Sequence, residues 1–400
     1  MNSFDEIPMK MAENAAFFWL LHDQAINSPD CGLARLIGLE KRIDAQLEGL
    51  LLHGEVGWKA CEAALQFEDS GEVFTAAVLA FSSDNNEWIQ KAVEIGCRNQ
   101  KTYQALLSAL SWLPLETVKS WISKLMQANN PAYLCLGVCA CALHGVHCGE
   151  ILNTALNNQQ LKNTPEYFSR LIRAAGMMQR KDLLPKIQDH VKDENAQIAL
   201  SSTLASLLLG DKTQTSLLKP TIFNNTALTD NAINLAFRAL PKAEAKAWAQ
   251  ELGETPDNLR KLISVIGVVG DTTALSWLIK QMSNENHARL AGHSFSMITG
   301  LDLEKNNMRK ASVMLDDVEL DDNDRKLPWP DDIKVREWYG SNRQNFVEEQ
   351  RYLAGEIINK ENLQKILQQG KQTQREAARL ELQLNYGVTF TGEAPRRLRI

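Results

Sequence analysis

At 400 residues the chain is about two to three times the usual single-domain length, so it holds several domains or one repetitive architecture and is not a small stapled fold. Its 43 Lys and Arg against 49 Asp and Glu leave a net charge of −6, with 44% of residues hydrophobic and 23% charged, which excludes a disordered or fibrous chain. A mildly acidic chain also lacks the global positive field that draws phosphate backbones, which argues against a general nucleic-acid binder.

In chain order, the N-terminus from Met1 to Ile7 has no positive region, and the apolar run Ala15 to Leu21 is short and lacks a cleavage site, so no secretory signal is expected. Leu36, Ile37, Leu39, Ile43, Leu47, Leu50 and Leu51 make Leu33 to Leu52 a long amphipathic helix. Trp58 to Leu65 and Val73 to Ala80, separated by Glu68-Asp69-Ser70-Gly71, predict a helix, a turn and a second helix. Pro114 and Pro131 stand where a proline opens a helix without removing a needed donor. The most apolar stretch, Tyr133 to Val146, is about 14 residues long and contains His144, whereas a membrane span needs roughly 20.

That stretch also carries Cys135, Cys139, Cys141, His144, His147 and Cys148, the residue types of a metal site. Zinc ligands normally come as two separated pairs joined by a loop. Here they follow one another along a presumed helix, with Cys135 and Cys139 on one face and Cys141 on another. Gly137, Ala140, Ala142 and Gly145 among them point to close helix packing, so no metal is assigned. The seven cysteines, an odd number crowded unevenly, suit a reducing compartment and a cytoplasmic protein.

From residue 146 onward a repeat is legible. Gly270-Asp271-Thr272-Thr273-Ala274-Leu275 matches Gly210-Asp211-Lys212-Thr213-Gln214-Thr215 in type, and related starts fall at 149, 179 and 240. The unit is about 30 residues, within the range of helical solenoids. Each copy orders a turn, an apolar helix, a polar gap and a small-residue-rich helix: Leu183, Leu184, Ile187 and Val191, then Asp193-Glu194-Asn195, then Ala196, Ala199, Leu200 and Leu204. Leu275, Leu278, Ile279 and Met282, followed by Asn284-Glu285-Asn286 and Ala288, Leu290, Ala291 and Phe295, repeat that order. The predicted class is therefore all-α, a HEAT-like α-solenoid of stacked helical hairpins. A less regular N-terminal helical region (1–145) precedes the array (146–300), and strands should be scarce because sustained alternation is missing.

Residues 301–332 break the rhythm as an acidic Pro/Trp loop, and 333–400 read as a C-terminal helical cap. Six acidic residues lie within Asp316 to Asp324, with no glycine to shape a calcium loop, so a solvated loop able to meet a basic partner is expected. Trp329 sits between Pro328 and Pro330; with Trp338, Tyr339, Arg343, Arg351 and Tyr352 it has the chemistry of interaction hot spots, or else seals the end of the solenoid. The candidate partner-binding residues are Asp316, Asp317, Asp321, Asp322, Trp329, Asp331, Trp338, Arg343, Arg351 and Tyr352. No Gly-x-Ser-x-Gly elbow, phosphate-cradling loop or His-Glu-x-x-His motif occurs, and His22, His53, His190, His287 and His293 are isolated on helical patterns, so no catalytic or cofactor-binding residue is assigned.

Several phrases resemble a bacterial HEAT-repeat family whose members are found near type VI secretion genes: Gly54-Glu55-Val56-Gly57-Trp58, Gly71-Glu72-Val73-Phe74, Val269-Gly270-Asp271 with Trp277-Leu278-Ile279, Ala288-Arg289-Leu290-Ala291-Gly292, Ile298-Thr299-Gly300-Leu301-Asp302 and Leu327-Pro328-Trp329-Pro330-Asp331. The likeness runs through Arg351-Tyr352-Leu353 to Ala394-Pro395-Arg396 and is densest over 265–355; the tail Arg397-Leu398-Arg399-Ile400 departs from it. The resemblance implies a HEAT-type solenoid with a cytoplasmic, secretion-associated role, and it transfers no catalytic residue. The expected function is a non-enzymatic protein-binding scaffold, with a type VI effector or apparatus component as partner by the resemblance. An immunity protein neutralising a toxin is the alternative, and a helical-repeat enzyme such as a DNA glycosylase is the reading of another class. No cofactor, nucleic acid or membrane is expected.

Overall fold

Apolar residues at three-to-four spacing with almost no strand-like alternation leave helix packing as the way for this chain to bury its side chains. The computed structural model, which describes residues 3–224, 226, 228–310, 324–388 and 390, is all-α: 22 α-helices and, among the described residues, one two-stranded sheet. The chain forms two compact units, one drawn from Met1–Asn27 and Leu33–Leu209, the other from Ser28–Gly32 and Gly210–Val388.

The first unit contains α1 (Ser3–Ile26), α2 (Leu33–Leu52), α3 (Glu55–Leu65), α4 (Ser70–Ser82), α5 (Asn86–Gly96), α6 (Gln100–Trp112) and α7 (Leu115–Met126), then α8 (Pro131–Leu143), α9 (Ile151–Leu156), α10 (Gln159–Lys162), α11 (Pro165–Met177), α12 (Leu184–Gln188) and α13 (Ala196–Leu208). Helices α4, α6, α8, α11 and α13 pack each against the next as an inner row, and the intervening helices pack against them. The inner helices end at Ser82, Trp112, Leu143, Met177 and Leu208, so the repeat of 30 to 34 residues runs through the N-terminal half as well. Several helices are started by the same device: the side-chain oxygens of Asn85, Asn99, Asn130, Asn158 and Asn195 accept hydrogen bonds from backbone N–H groups of the following turn.

Packing in this unit is close where residues are small. A Cβ at Gly71 would lie 2.6 Å from the Ala16 carbonyl oxygen, so glycine lets α4 rest on the backbone of α1. Beside that contact Trp19 stacks on Phe74 at 5.1 Å, and Trp112 meets Phe74 edge-on at 5.3 Å. The indole N–H groups are also satisfied: Trp19 Nε1 donates to Ser108 Oγ at 3.1 Å, and Trp112 Nε1 to Asp44 Oδ1 at 2.8 Å.

The second unit contains α14 (Lys219–Phe223), α15 (Thr229–Ala239), α16 (Lys242–Gly253), α17 (Leu259–Val269), α18 (Leu275–Gln281), α19 (Ala288–Thr299) and α20 (Asp332–Asn342), then the strands β1 (Tyr352–Leu353) and β2 (Glu356–Ile357), α21 (Lys360–Gln369) and α22 (Gln372–Tyr386). Helices α15, α17 and α19 pack in sequence and end at 239, 269 and 299. The last two close on Gly270 and Gly300, both left-handed with φ of 74° and 73°.

The β1–β2 hairpin, with Tyr352 opposite Ile357 and Leu353 opposite Glu356, docks on those helix ends. Its backbone supplies what the last turns lack: Tyr352 N donates to Gly270 O (2.9 Å), Ala354 N to Met297 O (2.6 Å) and Gly355 N to Ile298 O (2.9 Å). Helix α22 is polar by composition yet buried, and it packs on α15 and α21. Glu381, 1% exposed, receives Arg351 Nη2 at 2.5 Å, lies 3.8 Å from Arg238 Nε and accepts from Asn385 Nδ2 at 2.7 Å. Burial holds the Arg238 guanidinium down to about 10, with Glu381 opposing the shift.

Candidate functional site

The residues picked out between 329 and 352 serve two local tasks. Trp329 is buried with the Arg289 guanidinium 5.2 Å above its ring, and Arg289 Nη1 donates to the carbonyls of Asp324 (3.3 Å), Arg325 (3.0 Å) and Leu327 (2.9 Å). Asp331 opens α20 by accepting from Lys334 N at 3.2 Å. Trp338, Phe346 and Tyr352 form a second group, a chain of rings 6.5 and 5.4 Å apart that leans on Phe295. Tyr352 is buried, and its hydroxyl accepts from Val347 N at 2.9 Å; Arg351 donates to Val269 O at 2.8 Å besides holding Glu381. Arg343 is exposed. Asp316, Asp317, Asp321 and Asp322 lie outside the described residues. At Asp324 the expectation of a solvated acidic loop needs correcting: this carboxylate is 2% exposed and takes a forked pair of bonds, 2.5 and 2.8 Å, from Arg260.

The cysteine-rich stretch is helix α8 and the turn after it. Cys135 and Cys139, four residues apart, face each other at 3.8 Å between sulfurs, Cys141 lies 3.8 Å from Met126 Sδ, and His144 Nε2 is bonded to Leu110 O at 2.9 Å. Burial pushes the Cys61, Cys97 and Cys141 thiols up to about 12. Among the described residues no three His, Cys, Asp or Glu side chains come together as a metal site.

The second unit holds a polar cleft of about 210 Å³, whose lining includes Asp30, His293, Ser296, Asp302, Lys305, Lys371, Thr373 and Gln374. Lys371 Nζ bridges its two carboxylates, 2.6 Å from Asp30 Oδ1 and 3.3 Å from Asp302 Oδ2. Burial opposes the lysine's charge, yet Asp30 and Asp302 together raise its pKa. Asp302 is likewise pushed up by burial but ends below the usual carboxylate range, because the Lys305 N–H and Lys371 stabilise its charge. Burial lowers the basicity of the His293 imidazole.

In the first unit, α11 carries a cationic pair that sequence reading passed over. Arg170 and Arg173 follow Glu166 at helical spacing, on a different face from the buried Phe168, Leu171, Ile172 and Ala175. Arg170 is 8% exposed, lies 4.6 Å over the Tyr103 ring and reaches Glu166 at 3.5 Å. Burial, and then Arg170, push Arg173 below the usual arginine range, with only the Cys139 and Cys135 thiols opposing. Two arginines one turn apart look in sequence like a solvated face; only burial sets them apart.

A cleft of about 470 Å³ in the same unit is floored by Trp58 and Trp88, stacked at 4.9 Å and flanked by the Lys91–Glu62 ion pair at 2.6 Å. No helix among the described residues is long and apolar enough to cross a membrane. Compared with known proteins, the chain matches no family model, no curated protein and no solved structure.

Proposed function

We propose that the chain is a non-enzymatic protein-binding scaffold. The observation that carries this reading is the inner row α4, α6, α8, α11 and α13, five helices packed side by side in one repeat register. Stacks of this kind offer a long surface built from many repeats, and such surfaces are used for holding other proteins. The type VI association rests on the sequence resemblance alone: the partner is then a secreted effector or an apparatus component, held for delivery by an adaptor or neutralised by an immunity protein. A cytoplasmic place of work is part of this reading, supported by the free thiols of Cys61, Cys97, Cys135, Cys139, Cys141 and Cys148.

Gene deletion separates the two roles. Loss of an adaptor leaves cells healthy but unable to deliver the effector, whereas loss of an immunity protein leaves them self-intoxicated. Cells that deliver normally and stay healthy count against both. The second reading is a helical-repeat enzyme such as a DNA glycosylase; in the cleft of the second unit His293 is the residue type suited to proton transfer, whereas Lys371, Asp30 and Asp302 are tied up in ion pairs. An electrophoretic shift of duplex DNA at moderate salt, lost in His293→Ala, is the result that supports it.

A further inference from the structure

Among the described residues, Arg173 makes no hydrogen bond and no ion pair, and its Nε is buried without a partner, as is that of Arg170. Arg170 is buried and Arg173 half-buried, and a charge partly withdrawn from water is held best when something supplies the opposite charge. Glu166, itself partly exposed, is the one carboxylate paired to either arginine, and at 3.5 Å it reaches only Arg170. The pair therefore holds one more positive charge than its surroundings neutralise. From the geometry of the Arg170–Arg173 pair we propose an anion-binding site on the inner row of the first unit, which receives the carboxylates of an acidic segment of a partner protein.

Two features favour carboxylates on a protein. Arg170 and Arg173 stand a turn apart on one side of α11, and a guanidinium is a planar fork that a carboxylate meets with two parallel hydrogen bonds. The Tyr103 and Tyr167 rings, 5.8 Å apart, lie beside them, giving the Tyr and Arg composition of interaction hot spots. This proposal rests on the scaffold reading and names the chemistry of its partner.

The test uses the full chain, a fluorescent poly-glutamate peptide, a neutral Gly/Ser peptide of the same length and a single-stranded oligonucleotide of matching charge, compared by fluorescence anisotropy at moderate salt. The poly-glutamate peptide is expected to bind best. Arg173→Met should weaken it roughly tenfold or more, as removal of a charge-assisted bond does, and Arg173→Lys should recover part of the loss. The melting temperature of Arg173→Met should equal or exceed that of the parent, since no native bond is lost. Equal binding of the acidic and neutral peptides, an unchanged affinity in Arg173→Met, or a marked drop in its melting temperature overturns the proposal. Tighter binding of the oligonucleotide, lost in Arg173→Met, overturns it in favour of a phosphate site. If Arg173→Met still retains a partner that the parent retains, the site is wrong and the scaffold reading stands; if the parent retains none, the scaffold reading itself fails.

Discussion

Single charged side chains in this protein are governed by whether a counter-charge is built in. Lys371 has two, Asp30 and Asp302, and the pair of shifts fixes the pH window in which the cluster contributes. Asp302 has a folded pKa below the ordinary carboxylate value of about 3.9, so its contribution is present above that value and is lost as the pH falls through the folded pKa. Lys371 has a folded pKa above about 10.4, so its contribution is complete below that value and disappears as the pH rises through the folded pKa. Between those limits Asp302→Asn should lower the thermal midpoint, and the difference from the parent should close as the pH is taken below about 4. A difference that stays constant from pH 7 to pH 3 contradicts this account. None of this was legible in the sequence, because Asp30 and Lys371 are separated by 341 residues and neither belongs to a motif.

At the scale of elements, the repeat register was legible because its punctuation is chemical. Gly210 and Gly270 both stand at the turn into a new repeat with positive φ, a conformation that glycine enters without the steric cost borne by other residues. In the N-terminal half the corresponding turns use Asp84 in the left-handed region and Pro114 in the extended one, so the same spacing hides behind different residues. The two glycines also differ in a way the sequence does not reveal. A Cβ at Gly210 would meet nothing within 4 Å, whereas one at Gly270 would sit 2.2 Å from the Tyr352 carbonyl oxygen where the hairpin docks.

Gly210→Ala should therefore cost only the backbone strain, about 1–2 kcal/mol, read from the urea midpoint. Gly270→Ala should cost that strain plus displacement of β1, a clearly larger shift. Equal losses at the two positions would mean that the hairpin does not depend on its close approach to the end of α17.

For the whole chain, periodicity and composition were enough to read an all-α stack of helical hairpins, because burying an apolar stripe leaves few alternatives. The candidate partner-binding residues were harder to read, since Trp, Tyr and Arg near an acidic run look alike whether they face a partner or the protein's own core. Trp329 and Tyr352 are spent on internal packing, while Arg170 and Arg173, on an ordinary-looking helix, hold the unbalanced charge.

The central claim is that this molecule works by holding another protein. Native mass spectrometry of the tagged full chain, isolated from its own cells at moderate ionic strength, tests it most directly. The account predicts a species heavier than the 44.8 kDa chain by the mass of one identifiable partner, while a chain found only alone, or only with copies of itself, would contradict it.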